Sequence, residues 1–282
     1  FTPVGLGVVS ASTTVLRSFI DTADFNADGN PDLVVVQDAS DQFAIITTTD
    51  LGAIDTITLN STTGNPSYMV VADINEDGKA DILFSALSGF DWWFHAGNDS
   101  VTPDAAAIIN GNLSSTAEVK HFELADMNND GDLDIVAPYL SDTMAMPVNQ
   151  AAIFYGNGDG TFAGGASAEL VDTAAGAFVN PGFFRVADMD DNGWLDIVSV
   201  QIDNEQIGLV SGSSSGYAAP VEIATDHFTI SELEIADINF DGNLDIISLA
   251  DGPMSFQIFL GDGANGFVSE AVTLLPNGNA GV

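Results

Sequence analysis

Apolar residues in this chain fall into short runs rather than helical stripes. LVVV (33–36) and LDIVSV (195–200) are near-continuous and rich in β-branched side chains, as strands buried on both faces are. FFRVAD (183–188) and ELEIAD (232–237) partly alternate, as strands with one buried face do. No segment carries a convincing apolar stripe at helical spacing. The pattern predicts an all-β protein.

Between the paired runs lies a recurring acidic string. It reads DFNADGNPD (24–32), DINEDGKAD (73–81), DMNNDGDLD (126–134), DMDDNGWLD (188–196) and DINFDGNLD (237–245). Position 1 is Asp24, Asp73, Asp126, Asp188 or Asp237. Position 3 is Asn26, Asn75, Asn128, Asp190 or Asn239, and position 5 is Asp28, Asp77, Asp130, Asn192 or Asp241. Gly fills position 6. Position 7 varies (Asn30, Lys79, Asp132, Trp194, Asn243), and position 9 is Asp32, Asp81, Asp134, Asp196 or Asp245. Ala precedes every first Asp, and two aliphatic residues follow every last one. The starts lie 49, 53, 62 and 49 residues apart.

Each unit continues with a third run, a Gly-rich turn and a fourth run. IFYGNGDGTF (153–162) is the clearest turn and IFLGDGANGF (258–267) matches it; LVSGSSSGYAAP (209–220) and FHAGNDS (94–100) are looser. Four antiparallel strands in about 50 residues make a propeller blade, which cannot bury both faces alone. The expected architecture is a β-propeller of four-stranded antiparallel blades with five loop repeats, one domain over 1–282. A solenoid of stacked sheets is the alternative.

The acidic strings need an explanation, because the chain has 41 Asp and Glu against 4 Lys and Arg, a formal charge of −37. Calcium takes six to eight oxygen ligands. Positions 1, 3 and 5 of a tight loop can point inward together, Gly at 6 permits the turn, position 7 offers its backbone carbonyl, and position 9 closes the sphere. Each loop has three Asp at ligand positions and one neutral Asn, so a divalent ion leaves about one negative charge per site. Five ions would bring the formal charge from −37 to about −27. An EF-hand starts the same way but needs a carboxylate at position 12 and flanking helices. Position 12 here is Val35, Phe84, Ala137, Ser199 or Ser248, and the flanks read as strands. The EF-hand and the dockerin loop are rejected.

The acidic loop followed by a GNGDGTF-type turn resembles the FG-GAP/VCBS repeat of the integrin α-chain head and of secreted bacterial and fungal propellers. The resemblance covers nearly the whole chain. It implies a calcium-stabilised propeller outside the cell that recognises proteins or sugars. The commonest members have about seven blades; here there are five acidic loops. FTPVGLGVV (1–9) looks like a surplus strand. It is expected to cap a neighbouring blade, to follow further blades upstream, or to pair with the next molecule and build a head-to-tail fibre.

The acidity argues against nucleic acid or anionic lipid as a partner. No apolar run approaches the ~18 residues of a membrane span. There is no Cys, and the start at Phe1 suggests a processed or trimmed product. Trp92, Trp93 and Phe94 in GFDWWFHAG (89–97) suit core packing better than sugar stacking. His95, His121 and His227 fit no zinc spacing and read as polar strand residues. No nucleophile or phosphate-loop motif occurs, so no enzyme is expected; a polysaccharide-active site is the least favoured reading. Asn60, Asn98 and Asn112 begin sequons usable only by a glycosylating host. Long loops at 101–118 and 141–151 are weak interface candidates. The expectation is an extracellular calcium-binding recognition or adhesion module with about five Ca2+; the alternative is a filament or surface-layer subunit joined through residues 1–9.

Overall fold

In the computed structural model the described residues are 18–37, 42–50, 52–61, 68–86, 89–93, 121–139, 150–162, 168–173, 181–201, 206–226, 230–251, 254–270 and 273–274. They form five antiparallel sheets in chain order and no helix. Blade one is β1 (Ser18–Ala23), β2 (Asp32–Gln37), β3 (Gln42–Thr48) and β4 (Ile54–Ser61). Blade two is β5 (Tyr68–Ala72), β6 (Asp81–Ala86) and β7 (Gly89–Trp93). Blade three is β8 (Glu123–Ala125), β9 (Asp134–Tyr139), β10 (Gln150–Phe154) and β11 (Glu169–Asp172). Blade four is β12 (Pro181–Ala187), β13 (Asp196–Gln201), β14 (Gln206–Val210) and β15 (Val221–Ala224). Blade five is β16 (Ile230–Ala236), β17 (Asp245–Asp251), β18 (Met254–Gly261), and β19 (Phe267–Ser269) with β20 (Thr273–Leu274), both paired to β18.

The recurrent Ala has a structural reason. Ala23, Ala72, Ala125, Ala187 and Ala236 each pair in register with the position-9 Asp of their own loop. Every acidic loop therefore hangs from a closed strand pair, and its two ends are fixed before any ion binds.

The continuous apolar runs are explained by burial on both faces. The second and fourth residues after the last Asp face the next blade, and the first and third face the previous one. Thus Val34 and Val36 of blade one meet Ile82 and Phe84 of blade two, with Phe43, Ile45 and Met69. Leu83 meets Ile135 and Ala137, Val136 meets Ile197, and Val198 with Val200 meets Ile246. One fully buried aliphatic or Phe side chain contributes roughly 1.5–3 kcal/mol, so these four layers hold the blades together. The first strands approach one another, β1 to β5, β8 to β12 and β12 to β16, which gives the stack its radial character.

Two faces have no such layer among the described residues. On blade one, Ile20, Ile57 and Leu59 are 66%, 39% and 61% exposed. On blade five, Ile247, Leu249 and Ile258 are half-buried and Val268 is exposed. The strand expected at residues 1–9, the loops 101–118 and 141–149, Phe94, His95, His227, Asn98 and Asn112 lie outside the described residues. Trp92 and Trp93 lie on β7, opposite Leu83 and Ile82.

Candidate metal centre

Each loop is built from its own side chains. The position-1 carboxylate receives two backbone N–H groups, those of positions 5 and 6. For Asp24 they come from Asp28 at 3.1 Å and Gly29 at 2.8 Å; for Asp126, from Asp130 at 3.1 Å and Gly131 at 2.9 Å. Asp73, Asp188 and Asp237 do the same. In four loops the position-3 Asn accepts the position-5 N–H at 2.8–3.0 Å. In all five, the position-7 N–H donates to the position-5 side chain at 2.8–2.9 Å. These are Asx turns, in which a short side chain captures the backbone two residues on. They close positions 1 to 7 into one compact turn.

The position-9 Asp does more than close that turn. Asp32, Asp81, Asp134, Asp196 and Asp245 are all fully buried. One oxygen of each accepts the position-2 N–H at 2.8–3.1 Å. In four blades the other oxygen accepts a backbone N–H at or just past the end of the third strand: Thr48, Gly156, Gly212 or Gly261, at 2.7–2.9 Å. The carboxylate thus pins the loop to the end of the third strand. Burial raises the pKa of Asp134 and Asp196 to about 6, against the lowering by these hydrogen bonds, with help from the neighbouring Asp130 and Asp126 or Asp190 and Asp188. Burial likewise raises Asp32. A cation bound beside such a carboxylate would favour its ionised form and displace the proton.

In loop four, oxygens of Asp188, Asp190 and Asp196 lie within 4.8 Å of one another. The donor set is oxygen alone, with no soft or nitrogen ligand, which suits a hard cation of calcium's kind. At position 7, Asn30, Lys79, Asp132, Trp194 and Asn243 engage through their backbone, and the Asp132 side chain lies against the Gly158 turn.

Sequence reasoning missed three features. Position 4 is left-handed in every loop, with Ala27, Glu76, Asn129, Asp191 and Phe240 at φ 57–61°; its identity varies, so the string gives no signal. The glycine after the third strand recurs because a Cβ at Gly156, Gly212 or Gly261 would sit 2.1–2.3 Å from a backbone carbonyl oxygen. Its repeated place ahead of the Gly-rich turn was the available signal. Third, Arg185 on β12 joins three blades. Its Nη1 lies 2.8 Å from His121 Nε2 and 3.2 Å from Glu123, and its Nη2 donates to Glu232 and Glu234 at 3.0 and 3.1 Å. His121 precedes β8 rather than lying on a strand, and stacks on Tyr68.

Between β15 and β19 lies a cavity of about 290 Å³ lined by Val221, Glu222, Ile223, Phe259, Asn265 and Phe267, among others. No helix among the described residues is long and apolar enough to cross a membrane.

The FG-GAP-like repeat model matches residues 24–84, which hold the first two acidic loops. No curated protein sequence matches the chain. A solved structure described as that of an Agrocybe aegerita lectin specifically recognising non-reducing terminal N-acetylglucosamine superposes with a TM-score of 0.62 at 18% identity, covering 91% of this chain and 66% of that one. The chain thus spans just under two thirds of that lectin's length. A protein from Lactobacillus plantarum gives a TM-score of 0.42 at 11% identity, over 93% and 95% of the two chains. With its first two loops inside a matched FG-GAP-like repeat, and the same loop recurring on every later sheet, this chain carries an FG-GAP-like repeat over residues 24–84 and has a β-propeller-like fold of antiparallel blades.

Proposed function

We propose that the chain is an extracellular recognition module that binds glycan or protein, stabilised by about five Ca2+. The observation that carries the calcium reading is the acidic loop: five repeats carry Asp and Asn at the same positions on a chain with almost no basic residues to offset them, and in loop four three carboxylates converge within 4.8 Å. Asp and Asn at positions 1, 3, 5 and 9 would hold the ion, with the position-7 carbonyl. Calcium, when bound, supplies the positive charge that offsets carboxylate repulsion. The chain's own contribution is the turn that preorganises those ligands and the position-9 Asp that ties them to the blade. At a hundredfold excess of free ion over its dissociation constant, one site adds about 2.7 kcal/mol.

Recognition is supported by the likeness in fold to a lectin and by the groove between β15 and β19, where Glu222 lies across from Phe267. Polar groups beside aromatic faces suit a sugar ring. This reading assigns no catalytic residue. A glycan array including N-acetylglucosamine-terminated chains, probed in calcium and in chelator, tests it. Calcium-dependent binding to a defined glycan set is expected; a folded, calcium-loaded protein that binds no glycan would leave only the protein-ligand arm.

One observation favours the filament reading. The exposed face of blade one and the half-buried face of blade five are the two halves of the layer that repeats between all other blades. A second copy could stack its fifth blade on the first, a heterologous contact that propagates. Sedimentation of Leu59→Lys against the unaltered chain tests this: loss of large species supports stacking, and a monomer in both cases rejects it.

A further inference from the structure

Loop four differs from the others in a way its own repeat does not explain. In loops one, two, three and five the Asn at position 3 donates its Nδ2 to the Asp at position 5, at 2.8–3.4 Å. Loop four exchanges the two residue types. Asn192 turns its Nδ2 to the Gly212 carbonyl at 3.1 Å, and Asp190 takes its donor from another blade. That donor is Asn265, whose Nδ2 lies 2.8 Å from Asp190 Oδ2, across 75 residues. Asn265 sits at φ 61° in the glycine turn between β18 and β19. The turn is held by Asp262, which accepts the N–H groups of Ala264 and Gly266 at 2.9 Å.

The Asn265 amide has one sensible orientation. Its Nδ2 also donates to Ser211 Oγ at 2.8 Å. Exchanging its nitrogen and oxygen would set a carbonyl against the Asp190 carboxylate. Its Oδ1 is therefore fixed, and that atom is buried with no hydrogen-bond donor. Asp190 Oδ1 is in the same condition. A buried oxygen without a donor has lost its water and gained nothing in exchange. Here two such oxygens belong to a hydrogen-bonded pair, and one of the pair, Asp190, converges with Asp188 and Asp196. Electron-rich oxygens left without protons are what a cation's shell looks like before the cation is counted.

The geometry points to Asn265 as a positioning residue of the fourth metal site, supplied by blade five, so that the fourth ion fastens blade five to blade four. This rests on the calcium reading above. The amide nitrogen sets the Asp190 carboxylate, and the amide oxygen is buried without a donor. Nothing in the acidic strings marks Asn265, because it lies in a different repeat's turn.

The test uses the full chain and calcium itself, followed by titration calorimetry and by hydrogen exchange of residues 262–270. Asn265→Gly removes the side chain and tolerates the left-handed backbone. One of the sites should weaken roughly tenfold or more, the usual consequence of losing a ligand's supporting partner. The other four should be unchanged, and calcium should no longer slow exchange in 262–270. Asn265→Asp is the second variant: its added charge beside Asp190 should make stability depend more steeply on calcium than in the unaltered chain. Unaltered calcium affinity at every site in Asn265→Gly, with equal loss of melting temperature in calcium and in chelator, would show a merely structural link and overturn the inference. If the unaltered chain binds no calcium, the underlying calcium reading falls and this inference with it. The two failures are thus distinct.

Discussion

Asp134 Oδ1 accepts the backbone N–H of Gly156 at 2.8 Å, so a residue counted as an ion ligand also anchors the end of its blade's third strand. The other oxygen accepts the Met127 N–H at 2.8 Å. In this loop Asp134 therefore ties the turn to the third strand, whereas Asp126, Asn128 and Asp130 bond only within the turn. Asp134→Ala leaves two buried N–H groups unpaired and should cost roughly 2–4 kcal/mol even in chelator. Asp130→Ala should cost much less in chelator and show its main loss only in calcium. Asp132→Ala, whose side chain lies outside the ligand set, should cost less than either in calcium. Denaturant melts of the three variants in both conditions check this.

Gly212 shows how closely the loop and the third strand meet. A Cβ there would lie 2.3 Å from the Leu195 carbonyl oxygen, a backbone atom with no side-chain freedom to yield. Gly212→Ala should destabilise by about 1–3 kcal/mol through overpacking. Gly29→Ala meets no such obstacle, and its cost comes only from the left-handed backbone at φ 86°. Chemical denaturation of the two variants separates the mechanisms: a rise in stability for Gly212→Ala would contradict the close approach.

Phe240 is 90% exposed at φ 61°, a left-handed position that a bulky residue adopts at a cost. Asn favours that conformation and occupies the equivalent place at Asn129. Phe240→Asn should therefore raise stability by about 0.5–1 kcal/mol, read as a higher denaturation midpoint. A lower midpoint would mean that Phe240 makes an apolar contact worth more than the strain.

His121 carries the clearest pH signal away from the loops. Burial, then the Arg185 charge, lowers its pKa from 6.5 to about 4. Glu123 lies 3.2 Å from the same ring nitrogen and would favour the proton, but Arg185 Nη1 at 2.8 Å already occupies it, held also by Glu232 and Glu234. Tyr68 stacks on the ring. The folded pKa is depressed, so this contribution is present above the unfolded value of 6.5 and lost as pH falls toward about 4. Up to roughly 3 kcal/mol is at stake. In saturating calcium, stability measured from pH 7.5 to 4.5 should fall less steeply in His121→Gln than in the unaltered chain; parallel curves would refute the assignment.

Much of this architecture was readable because the same physical problem is solved five times. Asp24 to Asp32 alone would be an unremarkable turn, but its recurrence with Ala before and aliphatics after fixes strand, loop and strand. Burial on both faces leaves its trace in runs such as LVVV, since a strand inside a stack has no solvent side. What stayed hidden depends on meetings between distant residues. Arg185 reaches Glu123 and Glu232 across 62 and 47 residues, and Asn265 reaches Asp190 across 75; no local periodicity records such pairs. The left-handed position 4 was hidden for the opposite reason, because backbone geometry imposed by the loop overrides the preferences of Ala, Glu and Phe.

Calorimetry of equilibrium calcium binding to the full chain after exhaustive chelation shows whether the acidic loops hold ions. About five ions per chain are expected, taken up with a large rise in melting temperature and with proton release near pH 6 from the buried Asp134 and Asp196. A chain that is fully folded in chelator, binds no calcium at millimolar concentration and melts at the same temperature with or without it would contradict calcium binding by these loops.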